Sequence, residues 1–444
     1  MRILISAGEA SGEMYGAQLI QALRRQFGQV GPGPLARVGT GALARPAVRS
    51  AASSSDSQLE FFGVGGEKMR AAGCDIVVDA KDLSVVGITE ILSHLPKIWR
   101  LFHKLIAEAD KRRPDLAVVI DSPAFNWRAA RQMKKRGVPV VYYVCPQFWA
   151  WRQGRVRLLR KYVDKALVIF PFEEKFYRDR GVNAEFVGHP LAELPRPAIS
   201  REQYAADHEL IAAKPWITLM PGSRVKEVRM NLPGILEAAA LLGSEYEFLI
   251  PVAPTLASGF IQGVVDSHPL LAKAARIVAP TGEQAAGEHS SLTRMRTSAP
   301  TRASSVHLVP EALPALAHSR AGIIASGTAT VEAAMMETPF VMVYRVTPLT
   351  YLLGRWTVKV PHFAMVNLIA GEEVVPELVQ NDFTAERIAA ELKQIIPDGK
   401  PREKMIDGLR RVKRSLRGNV EGNAPEHAAK AIADLLSTRA SRAK

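Results

Sequence analysis

The stretch that most constrains this chain runs from Asp115 to Trp151, DLAVVIDSPAFNWRAARQMKKRGVPVVYYVCPQFWAW. Leu116 to Ile120 is short, wholly apolar and rich in β-branched residues. Such a run reads as a strand buried on both faces, the habit of parallel sheets. Asp121 follows at once, which puts a carboxylate at the carboxyl end of the strand, where open α/β sheets bind their ligands. Ser122 and Pro123 turn the chain, and Asn126 can cap a helix carrying Arg128 to Arg136. Val138 to Val144 repeats the apolar pattern and runs into Pro146-Gln147-Phe148-Trp149-Ala150-Trp151. Asp121 taken alone is equally a turn residue, since Asp is common in turns. Its neighbours decide between the two.

A chain of 444 residues has room for two or more domains with substantial cores. No apolar segment is long enough to read as a transmembrane helix. The start, MRILISAGEASGE, reads as strand and loop and not as a secretory signal. Cys74 and Cys145 lie far apart, outside any ligand cluster, which fits a reducing cytosol. The formal charge of +14 calls for an acidic partner: nucleic acid, a phosphorylated substrate or an anionic membrane surface.

Arg2 to Ala7 reads as a first strand, and Gly8-Glu9-Ala10-Ser11-Gly12-Glu13 as a loop. An amphipathic helix follows from Met14 to Phe27. The glycines are spaced neither as a dinucleotide fingerprint nor as a P-loop. Residues 28–58 are rich in Gly, Pro, Ala and Ser and read as a flexible insertion, as do residues 266–304. A long helix is expected from Ile91 to Lys111. Its bulky residues, with Trp99 and Phe102 among them, interleave with Lys97, Arg100 and Lys104. Either it packs on the core or it is an interfacial helix dipping into lipid. Further on, Gly188-His189-Pro190-Leu191 precedes a Pro-rich linker, and a second α/β alternation begins.

In that second half, Pro221-Gly222-Ser223-Arg224 with Glu227 follows a strand at Trp216 to Met220. Ser326-Gly327-Thr328-Ala329-Thr330 with Glu332 follows a strand at Ala321 to Ala325. Each precedes a helix, the first of them expected from about Leu232. Helix N-termini bind anions through backbone N–H groups, and Ser223, Thr328 and Thr330 add hydroxyls. Arg224 adds a cation matched to phosphate, and Glu332 is placed to hold ribose hydroxyls. Asn367-Leu368-Ile369-Ala370-Gly371-Glu372-Glu373 reads as a loop. These features favour a nucleotide-sugar site, with a cleft between two domains as the expected location. No DxD motif suggests a bound metal, and no cofactor is expected.

The chain resembles the bacterial lipid-A-disaccharide synthase family of glycosyltransferases. The matching segments include AGEASGE, FGVGGEKMRAAGC, LSVVGITEIL, IDSPAFN, YYVCPQFWAWRQGRV, FPFEEKFY, FVGHPLAE, PGSRVKEV, SGTATVEAA and NLIAGEEVVPELVQ. They run in family order over nearly the whole chain outside the two insertions. The resemblance implies an α/β fold of GT-B architecture, two Rossmann-like domains facing a cleft. These are an acceptor-side domain at 1–195 and a UDP-sugar domain at 196–420, with a C-terminal helix at 421–444 placed to pack back on the first domain. It implies inverting transfer of 2,3-diacylglucosamine from its UDP derivative to 2,3-diacylglucosamine 1-phosphate, with release of UDP. It implies a cytoplasmic enzyme, peripheral on the inner membrane, with no nucleic-acid partner; a homodimer is compatible with it. Asp121 is the expected base. Glu9, Ser11, Gly12, Glu13 and Asn126 are expected on the acceptor side. Ser223, Arg224, Glu227, Ser326, Gly327, Thr328, Thr330 and Glu332 are expected around UDP, with Asn367 and Glu373 orienting sugar or phosphate. His189 is either a substrate contact or a structural histidine. The family usually has Asp where this chain has Glu13 and Ala124, and Pro where it has Val366. Asp121 is therefore the only acid of its loop. Two rival readings differ in class: a UDP-sugar epimerase or hydrolase on the same fold, and a basic RNA-binding protein.

Overall fold

The computed structural model describes residues 1–8, 10–28, 59–83, 88–253, 256–257, 259–268, 305–348, 350–352, 360–418 and 422–442. Apart from Gly28 and residues 266–268, both expected insertions lie outside the described residues, as does Glu9. The chain divides into two compact units, Met1–Pro190 with Leu416–Lys444, and Leu191–Ser415.

The first unit is built on seven parallel strands: β1 Arg2–Ala7, β2 Glu60–Gly65, β3 Cys74–Asp79, β4 Leu116–Ile120, β5 Val140–Tyr143, β6 Lys165–Val168 and β7 Ala184–Phe186. Their order is β3-β2-β1-β4-β5-β6-β7. The second unit has six: β8 Trp216–Met220, β9 Glu247–Pro251, β10 Ser305–Val309, β11 Ala321–Ala325, β12 Phe340–Tyr344 and β13 Glu377–Val379. Their order is β10-β9-β8-β11-β12-β13. Central strands such as β4 and β11 are buried along their whole length, because helices cover both faces of each sheet.

Strand order reverses between β1 and β4 in the first unit and between β8 and β11 in the second. Loops diverge at such a switch point and leave a crevice at the carboxyl ends of the strands. Asp121 follows β4, beside Gly8, which follows β1. Pro221-Gly222-Ser223-Arg224 follows β8, beside Ser326-Gly327 after β11. The fold thus places the Asp121 turn at the switch point of the first unit, and the Ser223-Arg224 and Ser326-Gly327 turns at that of the second.

Several expected boundaries are corrected. The first helix spans Ala10–Gly28, so Ser11, Gly12 and Glu13 are helical and not loop residues. Gly16 lies there because a Cβ would sit 2.8 Å from the Met69 sulfur. The helix after β4 is Pro123–Lys135, with Ser122 and not Asn126 at its N-cap. The helix after β8 starts at Val225 and runs through Pro233 to Leu242. Asn367 lies in a helix, Met365–Ala370, and not in a loop. Among the described residues no helix is long and apolar enough to cross a membrane.

Candidate functional site

In the first unit the chain leaves β4 through two consecutive non-glycine residues in the left-handed region, Asp121 at φ 48° and Ser122 at φ 45°. Such backbone costs on the order of 1–3 kcal/mol per residue and persists only where its surroundings enforce it. The Asp121 N–H donates to the Tyr143 carbonyl at 3.2 Å. Its carbonyl accepts from the Tyr142 hydroxyl at 2.8 Å and from Asn126 Nδ2 at 2.9 Å. Asn126 Nδ2 also reaches the Ile120 and Ser6 carbonyls, and its Oδ1 accepts from Ser6 Oγ at 2.6 Å. Asn126 is fully buried. It is a clamp that fixes the Asp121 turn, behind the surface a substrate would touch. Gly8 makes room for the turn, since a Cβ there would lie 2.6 Å from Ser122 Oγ.

Ser11 is exposed on the first turn of its helix. Glu13 accepts the Lys68 N–H at 2.7 Å and caps helix Glu67–Ala71. Its carboxylate would collide with a Cβ on Gly66, at 2.6 Å. Ala124, where the family usually has Asp, is exposed just beyond Asp121.

Loops after β5 and β6 are tied to each other by groups that sequence reasoning missed. Glu173 Oε1 accepts from the Trp149 indole at 2.8 Å, and its Oε2 from the Ile169 and Phe170 N–H groups. Burial pushes the Glu173 carboxyl up to about 7, against the pull of these donors, which favour the charged form. The Tyr177 hydroxyl donates to the Pro146 carbonyl. His189 is buried against Phe170, with ring centroids 5.2 Å apart, and its backbone N–H donates to the Leu416 carbonyl at 2.9 Å. Burial holds its imidazole down to about 3, so it is neutral at physiological pH. Of the two alternatives for His189, this environment suits a structural histidine.

In the second unit the two anion-ready turns differ. At the turn after β8, Glu227 Oε2 accepts the N–H groups of Ser223 at 3.0 Å and Arg224 at 3.3 Å. Its Oε1 pairs with Arg224 Nη1 at 2.7 Å. The chain's own carboxylate thus occupies the donors that the sequence assigns to phosphate. Gly222, at φ 119°, is needed because a Cβ would sit 2.6 Å from the Glu227 Cβ. At the turn after β11, helix Thr328–Met336 begins behind Gly327, at φ 143°. The Thr330 N–H turns back to the Gly327 carbonyl, and so does its hydroxyl. Among the described residues the N–H groups of Gly327, Thr328 and Ala329 meet no protein acceptor. Ser326 Oγ donates to the Phe363 carbonyl. Burial pushes the Glu332 carboxyl up to about 6.

Asn367 is fully buried, and its amide is spent internally. Nδ2 donates to the Val375 carbonyl and to Glu377 Oε1, and Oδ1 accepts from the N–H groups of Val374 and Val375. It pins the following loop, on which Glu373 is exposed. Asn231, which sequence reasoning missed, is a counterpart. It donates to the Pro221 carbonyl and accepts from the Arg345 N–H, joining the exits of β8 and β12.

Comparison with known proteins fits this geometry. The calicheamicin glycosyltransferase CalG4 matches with a TM-score of 0.52 at 14% identity, covering 98% of both chains. A UDP-GlcNAc 2-epimerase from Neisseria meningitidis matches with a TM-score of 0.57 at 12% identity, covering 99% of this chain and 100% of that one. At such identities the likeness speaks for the fold alone. Two doubly wound parallel sheets, each with its loops gathered at a switch point, make this the GT-B architecture. The sequence match is narrower. A family model described as lipid-A-disaccharide synthetase matches residues 3–274 and 284–432. A lipid-A-disaccharide synthase from Koribacter versatilis (strain Ellin345) is 47% identical over 440 residues, 99% of this chain and 100% of the relative. The chain belongs to the lipid-A-disaccharide synthase family.

Proposed function

We propose that the chain transfers 2,3-diacylglucosamine from UDP-2,3-diacylglucosamine to the 6-hydroxyl of 2,3-diacylglucosamine 1-phosphate. The products are the β(1→6)-linked disaccharide 1-phosphate and UDP, in lipid A biosynthesis. The observation that carries this is the family match over nearly the whole chain. It weighs against an epimerase, which the fold alone would allow, and against a basic RNA-binding protein.

The step is a single inverting displacement. The acceptor oxygen bonds to the anomeric carbon as the bond from that carbon to the diphosphate oxygen breaks. Asp121 takes the hydroxyl proton, the task of a positioned carboxylate. The charge that develops on UDP falls to the prealigned amides at Gly327, Thr328 and Ala329, and to Arg224 once the diphosphate displaces Glu227 from it. Glu332 holds ribose hydroxyls. Ser11, with Glu9 beside it in sequence, lines the acceptor side. Purified protein given both substrates is expected to yield a product with the mass of the disaccharide 1-phosphate. UDP release at full rate without acceptor would favour an epimerase or hydrolase instead. A chelator is expected to leave the rate unchanged; a loss restored by magnesium would contradict this scheme.

Both substrates carry acyl chains, so the enzyme works as a peripheral protein on the cytoplasmic face of the inner membrane. Helix Ile88–Arg112 supports this reading but corrects its expected lipid-facing pair. Phe102 is buried against Phe125, with ring centroids 5.6 Å apart, and belongs to the core. Among the described side chains of this helix, Leu95 and Trp99 are exposed, at 49% and 61%. Bulky exposed apolar groups flanked by cations suit an interfacial helix. Leu95→Ser with Trp99→Ser is therefore expected to weaken binding to anionic vesicles in flotation while UDP affinity holds. Full flotation of that double variant would place the lipid contact elsewhere.

A further inference from the structure

From Ser122 to Val163 the chain carries ten Lys and Arg residues and no Asp or Glu. Nine of the ten are exposed, and Lys134 is half-buried. Lys134 pairs with Asp164 and Arg136 with Asp110. The other eight, Arg128, Arg131, Arg157 and Lys161 among them, have no carboxylate partner among the described residues. So many like charges repel one another and weaken the folded state, so an external anion that neutralises them is favoured.

Topology spreads these charges over one layer. Strands β4, β5, β6 and β7 follow in order across the sheet, so right-handed crossovers put their connecting helices on the same face. Helix Pro123–Lys135 packs beside helix Val156–Tyr162 on one side and beside helix Ile88–Arg112 on the other. The cations therefore adjoin the helix that exposes Leu95 and Trp99. Aromatic rings are interleaved with them. Arg128 lies over the Trp127 ring at 4.8 Å, Arg152 over Trp151 at 4.3 Å and Lys161 over Tyr162 at 5.5 Å. Trp151 is itself 44% exposed. Amphipathic rings beside cations suit the boundary between lipid and water.

We propose that this layer is the face on which the protein lies against an anionic phospholipid bilayer. Its cations meet headgroup phosphates, and Leu95 and Trp99 enter the lipid beside them. The proposal rests on the membrane reading above and gives its electrostatic part a location.

The test is flotation with vesicles of phosphatidylethanolamine and phosphatidylglycerol, at low and high salt. Combined Arg128→Glu, Arg131→Glu, Arg157→Glu and Lys161→Glu is expected to lower binding by more than about tenfold at low salt, since each nearby cation contributes to attraction. The difference should shrink at high salt, where such attraction is screened. Unchanged UDP affinity in titration calorimetry shows that the variant is folded; if it is not, the same four positions changed to Gln give the measurement. If the variant floats like the parent while Leu95→Ser with Trp99→Ser detaches, the membrane reading stands and this location is wrong. If the parent ignores anionic vesicles yet still joins detergent-dispersed substrates, the membrane reading itself fails. If the parent prefers single-stranded RNA to vesicles and the variant loses that preference, the surface serves nucleic acid and the proposal is overturned.

Discussion

Asp121→Asn is expected to lower turnover by on the order of 10²-fold or more, the usual scale for loss of a general base. The substitution is chosen for the backbone as much as for the chemistry. Asp121 sits at φ 48°, and asparagine tolerates that region better than alanine does. The turn is also held independently of the side chain, through the Asp121 carbonyl by Asn126 and Tyr142 and through its N–H by Tyr143. Asparagine therefore keeps the shape of the group and removes only its capacity to take a proton. UDP affinity should hold, because the residues proposed to bind UDP belong to the other compact unit. Single-turnover kinetics with calorimetry of UDP binding separates the two effects. Near-normal turnover would remove Asp121 from the chemistry. Because Ala124 stands where the family usually has Asp, no second carboxylate of this loop is present to substitute for it.

How far the site could be read from sequence depended on the range of the interactions. β4, β8 and β11 are near-continuous apolar runs, and the local pattern reveals them. The edge strands β3, CDIVVD, and β13, ELV, mix polar with apolar residues or are very short, and pattern reading passed over them. Helix Val225–Leu242 was expected too late because Pro233 reads as a break and its N-cap is Arg224, not a usual capping residue. The asparagines are a different case. Asn126, Asn231 and Asn367 each hold backbone groups at the exit of a strand or of a loop. Ser6 and Asn126 are 120 residues apart, and Asn231 and Arg345 are 114 apart. No local motif announces such partners, so from sequence Asn126 and Asn367 read as ligand contacts and Asn231 does not stand out. Buried amides are costly unless fully bonded. That these are bonded to the backbone shows that they shape the site from behind.

Arg224→Ala is expected to weaken UDP binding by about 1.5–3 kcal/mol, the scale of a charged hydrogen bond. The structure adds a companion variant with the opposite expectation. Glu227 now takes the Ser223 and Arg224 N–H groups and pairs with the Arg224 guanidinium, so its carboxylate stands where a phosphate oxygen would bind. A diphosphate drawn to these donors must displace it, and two anions at one set of donors repel. Glu227→Gln removes that charge and should leave UDP affinity equal or higher. Neither change should unfold the protein, since the pair lies toward solvent, with Arg224 at 74% side-chain exposure, and exposed pairs contribute little to stability. Calorimetric titration of UDP into both variants reads the sign of each effect. Weaker binding in Glu227→Gln would make Glu227 a substrate contact, as its place in the sequence first suggested. Unchanged affinity in Arg224→Ala would make the turn after β8 a capped helix start and leave the diphosphate to the amides of Gly327, Thr328 and Ala329.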